Sequence, residues 1–231
     1  MPPKPLVEPE ADAERLALDR AVAEAVRLRI AAGPRPSPDA DAIALRELLT
    51  DLSPAATATV RAVLGRIDAA NGAPLVVWGA ASQTLAADRF GLTARIAAEP
   101  EQALVAVRDG ARALMDLTSD KAWWGRLLAE PGLRVVAALP DDRHGLPRAL
   151  MVERAESGPT GDDRTFWATD SKAPDARIVE TLGAAGLAAS PLIAAGGLKL
   201  FMLAGYVQAE DGRLASTPGG LSGVIGAAPQ F

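Results

Sequence analysis

The sequence predicts a multidomain α and α/β protein: an all-helical region over residues 1–72, a small α/β lobe over 73–155, and a ferredoxin-like α+β region over 164–231. Three observations carry that expectation. Apolar residues recur at steps of four near the N-terminus, as on one face of a helix. From Ala73 onward, short strand-like runs alternate with helical stretches. After a polar break at 155–163 the elements follow the order βαββαβ, the ferredoxin-like signature.

Residues 14–32 are built of good helix formers, with Leu18, Val22, Val26 and Ile30 as the expected core stripe. Gly33-Pro34-Arg35-Pro36-Ser37-Pro38 ends this helix, because successive prolines remove backbone donors and disfavour the helical conformation. Further helices are expected over 39–51 and 54–70, the second capped by Ser53 with proline at its first position.

Leu75-Val76-Val77-Trp78 opens the α/β lobe as a strand, followed by a helix expected to be capped by Ser82 and to end near Gly91. Strands are expected over 93–96, 111–117, 133–139 and 148–153, with helices over 100–108 and 120–130. In the last of these helices, Trp123, Trp124, Leu127 and Leu128 form one stripe, which reads as core rather than as a stacking platform. The stretch 155–163 is too polar and too broken to pack, and an exposed linker is expected there. Strands over 165–169, 189–194, 198–207 and 223–227, a helix over 174–186 and a short helix before the last strand complete the chain, with Gly196-Gly197 as a hairpin turn.

Composition narrows the function. A formal charge of −5 without a long basic run gives no electrostatic footprint for nucleic acid. With no cysteine and a single histidine, disulfides, thiol catalysis and histidine metal clusters are out of reach, so a metal would need carboxylates alone and no cofactor is expected. The first residues, MPPKPLVEPEADAERL, carry acids where an export signal has an apolar core, and no apolar run is long enough to cross a membrane. A cytoplasmic location is expected.

Local motifs point further. Trp78-Gly79-Ala80-Ala81-Ser82-Gln83-Thr84-Leu85-Ala86-Ala87-Asp88-Arg89-Phe90-Gly91 sets a tight turn and a serine at a helix N-terminus, where a carboxylate could bind. Pro100-Glu101-Gln102-Ala103-Leu104 opens the next helix, and Leu146-Pro147-Arg148-Ala149-Leu150 precedes a strand. Together with the element order, these segments resemble the bifunctional chorismate mutase/prephenate dehydratase proteins of aromatic amino-acid biosynthesis, in which an ACT regulatory domain follows. Arg148 falls on the arginine of that family's Thr-Arg-Phe motif, but Pro147 and Ala149 replace its neighbours, so dehydratase activity is not expected. The lobe is also about half the family's usual dehydratase domain. The segments 205–214 and 223–229 resemble the end of an ACT domain, although Leu192-Ile193-Ala194-Ala195 stand where its ligand motif would be.

The spacing of Leu18-Asp19 to Arg29 resembles the long first helix of all-helical chorismate mutases. The resemblance implies conversion of chorismate to prephenate, a rearrangement that needs cations and donors rather than covalent chemistry. By position Arg29 falls on a substrate-carboxylate arginine, Asp41 on an acidic second-helix residue and Asn71 on the third-helix glutamine, while Arg46 stands two residues from the expected second-helix arginine and Arg35 is the cation nearest the shortened loop. Candidate site residues are therefore Arg29, Asp41, Arg46 and Asn71 for the mutase reading, and Ser82 and Arg148 for a ligand of the α/β lobe. The alternative is that Arg27, Arg29, Arg46 and Arg61 form a solvated helical surface and the chain is a silent small-molecule-binding or partner protein. A chorismate- or prephenate-like dicarboxylate or an amino acid is the expected ligand, in a homodimer without nucleic-acid or membrane partners.

Overall fold

The computed structural model of the chain describes residues 12–33, 38–141, 145–155, 158–217 and 219–231, and the backbone alone of Asp41. Arg35 lies outside the described residues.

The N-terminal region is helical: α1 (Ala13–Ala31), α2 (Pro38–Leu49) and α3 (Pro54–Asn71). Ser53 caps α3 as expected, its hydroxyl accepting from the Ala56 amide at 3.3 Å. The bundle core is formed by Ala21, Ala25, Leu45, Leu49, Val60 and Leu64. On α1 the buried line is Ala21, Ala25 and Arg29, whereas Ile30 is 68% exposed. The line sits one residue, or about 100°, away from the expected stripe. Alanines let α1 approach its neighbours, and the same turn carries Arg29 inward to an acidic partner on α3, an ion pair that periodicity alone does not reveal.

The rest is a mixed α/β layer. Its elements are β1 (Leu75–Trp78), α4 (Ala80–Phe90), β2 (Arg95–Ile96), α5 (Pro100–Arg108), β3 (Arg112–Asp116), β4 (Arg134–Leu139), β5 (Ala149–Glu153), β6 (Asp163–Thr169), α6 (Asp175–Ala184), β7 (Ala189–Ala195), β8 (Leu198–Ala204) and β9 (Ser222–Pro229). Short 3-10 helices span Trp123–Leu128 and Gly212–Ser216. The strands form one nine-stranded sheet in the order β2-β1-β3-β5-β4-β9-β6-β8-β7. β1 runs parallel to β2 and β3, β4 runs parallel to β9, and the other pairs are antiparallel. The join between β4 and β9 is narrow: Val135 pairs with Gly226, whose φ is +142° and whose missing Cβ would fall 2.3 Å from the Val135 carbonyl oxygen.

One face of the sheet, including Met115, Leu150, Phe166 and Leu200, packs under α5 and the Trp123–Leu128 segment. Trp123, Trp124 and Leu127 are buried there, in agreement with the core reading. The segment is a short 3-10 helix rather than the expected helix over 120–130. Its approach is tied up in local turns, with the Thr118 amide donating to Asp116 and the Lys121 amide to the Ser119 hydroxyl. The opposite face is covered by α4 at one end, around Leu114 and Met151, and by α6 at the other, around Trp167 and Phe201. The helical bundle packs α3 against α4, and Arg46 of α2 reaches the carbonyls of Thr160 and Asp162.

Two further local expectations change. Gly79, not Ser82, occupies the N-cap of α4, and Ser82 lies inside the helix, fully buried. The end of the stretch read as an exposed linker is pinned: Thr160 and Asp163 are buried, and Asp163 accepts from the Thr160 amide at 2.8 Å and hydroxyl at 2.7 Å. Polar groups can be buried when they are hydrogen-bonded to one another, which a composition argument does not see.

Candidate functional site

Between the bundle and the sheet lies a cavity of about 500 Å³, within the usual range for small-molecule sites. Val136, Leu139 and Met151 form its floor, and Leu45, Leu64 and Phe90 contribute apolar wall. Arg29, Arg89 and Arg112 bring cations to it, and Asp68, Asp141 and Glu153 bring carboxylates. No hydroxyl, thiol or imidazole lines it among the described residues.

The geometry follows from strand alternation and helix packing. On β3, Ala113 and Met115 point to the α5 face, so Arg112, Leu114 and Asp116 point to the bundle face. Arg112 is 9% exposed, with its guanidinium 5.2 Å from the centre of the Phe90 ring. Its Nε and Nη2 are buried and have no hydrogen-bond partner. At the other end of the cavity, Asp141 pairs with Arg61 of α3 and accepts from Arg89 Nη2 of α4 at 3.0 Å. Burial, aided by the neighbouring Arg61 guanidinium, pushes Arg89 down to about 9. Desolvation therefore disfavours its charge, and a bound anion would relieve that. The helices that carry these groups meet closely at Gly65, where a Cβ would fall 2.2 Å from the Arg89 carbonyl oxygen.

Of the residues singled out by sequence, Arg29 lines this cavity. It is 7% exposed, forms an ion pair with Asp68 of α3, and donates to the Gly33 carbonyl at 2.9 Å. Arg46 is also turned inward, but as a clamp: it donates to the carbonyls of Thr160, Asp162 and Gln230 and lies over the Phe231 ring. Asn71 is exposed and donates to the Ile67 carbonyl within its own helix; the adjacent Gly72 lines the cavity. The side chain of Asp41 lies outside the described residues. The bland alternative of a solvated helical surface fits Arg27, which is exposed and bonded to Glu24, but not Arg29 or Arg61, which are buried.

Ser82 and Arg148 lie away from this cavity, near the other ends of β1 and β3. Ser82 is fully buried and its hydroxyl has no partner, while Arg148 is exposed. The α4 N-terminus beside Ser82 already holds a carboxylate, since the Ala81 amide donates to Asp116 Oδ2 at 2.8 Å. Gly79 makes this approach possible: φ is +91° and a Cβ would fall 2.3 Å from Asp116 Cβ. The anion site expected from the motif is thus filled from within the chain.

Sequence reasoning missed Arg89, Arg112 and Asp141. A signal existed for Arg112: alternating Arg112, Leu114 and Asp116 place two charges on one face of an otherwise apolar strand. Among the described residues no three His, Cys, Asp or Glu side chains gather to hold a metal ion, and no helix is long and apolar enough to cross a membrane.

No protein-family model matches the chain, and no curated protein matches it. Two solved structures are similar in part. GqqA, described as a novel type of quorum-quenching acylase, is 17% identical over 68% of this chain and 95% of its own, with a TM-score of 0.44. A prephenate dehydratase from Streptococcus mutans is 14% identical over 68% of this chain and 100% of its own, with a TM-score of 0.38. At such scores the functional reading rests on this chain's own residues.

Proposed function

We propose that the chain is a small-molecule-binding protein related to aromatic amino-acid biosynthesis, whose ligand is a compact organic carboxylate of the chorismate or prephenate kind, held in the cavity beneath the three helices. The observation that carries this reading is the pairing of apolar floor and wall with inward-facing guanidiniums, in a lining whose described residues include no hydroxyl, thiol or imidazole. Such a lining can hold and orient a ring with acidic substituents. The spatial order β9-β6-β8-β7 supports an ACT-like reading of the C-terminal region. Exposed Leu16, Ile30 and Ile43 on α1 and α2 support the homodimer.

A second reading, a chorismate mutase using the same cavity, is favoured by the placement of Arg29 on its wall. Isomerisation would require only that cations hold the compact conformer and stabilise separating charge. Incubating the purified chain with chorismate separates the two. Binding without consumption supports the binding-protein reading. Consumption reduced roughly 30- to 1000-fold by Arg29→Ala in a folded variant supports the mutase. Absence of both binding and consumption removes chorismate from either reading.

A further inference from the structure

The two partnerless donors of Arg112 are not an arbitrary pair. Nε–H and one Nη2–H of a guanidinium point the same way and form the side-on fork that matches the two oxygens of a carboxylate. Both are buried, both belong to a side chain that lines the cavity, and neither meets an acceptor. A buried cation with an empty bidentate edge is costly, and the Phe90 ring over its face compensates only part of that cost. Glu153, in the next register position beyond the Ala113–Val152 pair, stands across from Arg112 on β5, yet the fork remains untaken. The donors therefore call for a ligand oxygen pair, and the apolar floor beyond them calls for a hydrocarbon body.

Resting on the reading of this cavity as a ligand site, we infer that Arg112 is its carboxylate anchor, taking one carboxylate of a ligand whose ring-sized body is stacked beside Phe90. The carboxylate sits side-on against Nε and Nη2. The ring lies over Val136 and Met151.

The test uses the full chain and simple probes: benzoate and cyclohexanecarboxylate, with benzamide as the neutral counterpart and inorganic phosphate as an anion of another shape. Calorimetric titration should show saturable binding of the carboxylates and at least tenfold weaker binding of benzamide and phosphate. Arg112→Lys, which keeps the charge and loses the fork, should weaken benzoate at least tenfold. A wild-type readout guards against misfolding of that variant: with 15N-arginine labelling, benzoate should shift the Arg112 Nε resonance and benzamide should not. The inference is overturned if benzoate fails to bind, if benzamide or phosphate binds equally well, if folded Arg112→Lys retains full affinity, or if the Nε resonance does not move. Chorismate keeps the two claims apart. If benzoate binds through Arg112 and chorismate does not bind, the anchor stands and the pathway reading falls; if chorismate binds with equal strength to Arg112→Lys, the reverse holds.

Discussion

Gly65 offers the sharpest test of how the bundle is seated. In a helix interior, replacing glycine by alanine ordinarily stabilises by about 0.8–1 kcal/mol, because the unfolded chain loses freedom it no longer has to surrender. At Gly65 of α3 the new methyl would lie 2.2 Å from the Arg89 carbonyl oxygen, a backbone atom that cannot swing aside. Contact distances require roughly 1 Å more, so α3 and α4 must part by about that amount. Overpacking of this kind costs about 1–3 kcal/mol, which exceeds the propensity gain. The expected net loss is up to about 2 kcal/mol, or a Tm lower by up to about 8 °C for a chain of this size. Gly183 in α6 is the control, since nothing lies within 4 Å of its missing Cβ. Gly183→Ala should raise Tm by about 2–4 °C. Thermal unfolding followed by circular dichroism reads both. If Gly65→Ala also raises Tm, the close approach of α3 to α4, and the seating of the cavity with it, is wrong.

Asp141→Asn should destabilise by about 3–5 kcal/mol in urea titrations, because it leaves the Arg61 and Arg89 guanidiniums without the carboxylate they share; a loss below about 1 kcal/mol would show that the pair is solvated instead. Arg29→Lys should loosen the C-terminal end of α1 by losing the contact to the Gly33 carbonyl while keeping charge beside Asp68, so amide exchange in the last turn of α1 should accelerate; unchanged exchange there contradicts the role. Asp211 is held down to about 2, first by the Arg213 side chain and then by the Arg213 amide. A carboxyl depressed in the folded state stabilises above its unfolded value and loses that contribution as pH falls through the folded one. Protection of the Gly212–Ser216 segment should therefore persist at pH 4 and fade as the pH approaches about 2, as nuclear magnetic resonance at acid pH would show.

Much of the chain was legible because its signals are local. The Ser53-Pro54 start of α3, the Trp123-Trp124 core stripe and the Gly196-Gly197 turn each depend on a few neighbouring residues. What was hidden depends on partners distant in sequence. Arg46 reads as surface until Thr160 and Gln230 are brought beside it, and Ile30 reads as core until Arg29 is found to need the inward position. The candidate site was legible in one residue, Arg29. Arg112 emerges from strand alternation only once the bundle is known to cover that face, and Asp116 shows that a helix N-terminus which looks ready for a ligand can be satisfied by its own neighbour.

The placement of β9 also bears on how the molecule is assembled. β9 is the last strand in sequence but lies between β4 and β6, so β4 presents an open edge until a strand separated from it by most of the C-terminal region returns. Closing that gap is a long-range event, expected late in folding, and it hinges on Gly226 lying flush against Val135. Chains stalled before this step would expose a ready pairing template to one another. A side chain at Gly226 should therefore show itself in the stability of the finished fold and also in yield, as refolding that loses protein to aggregation.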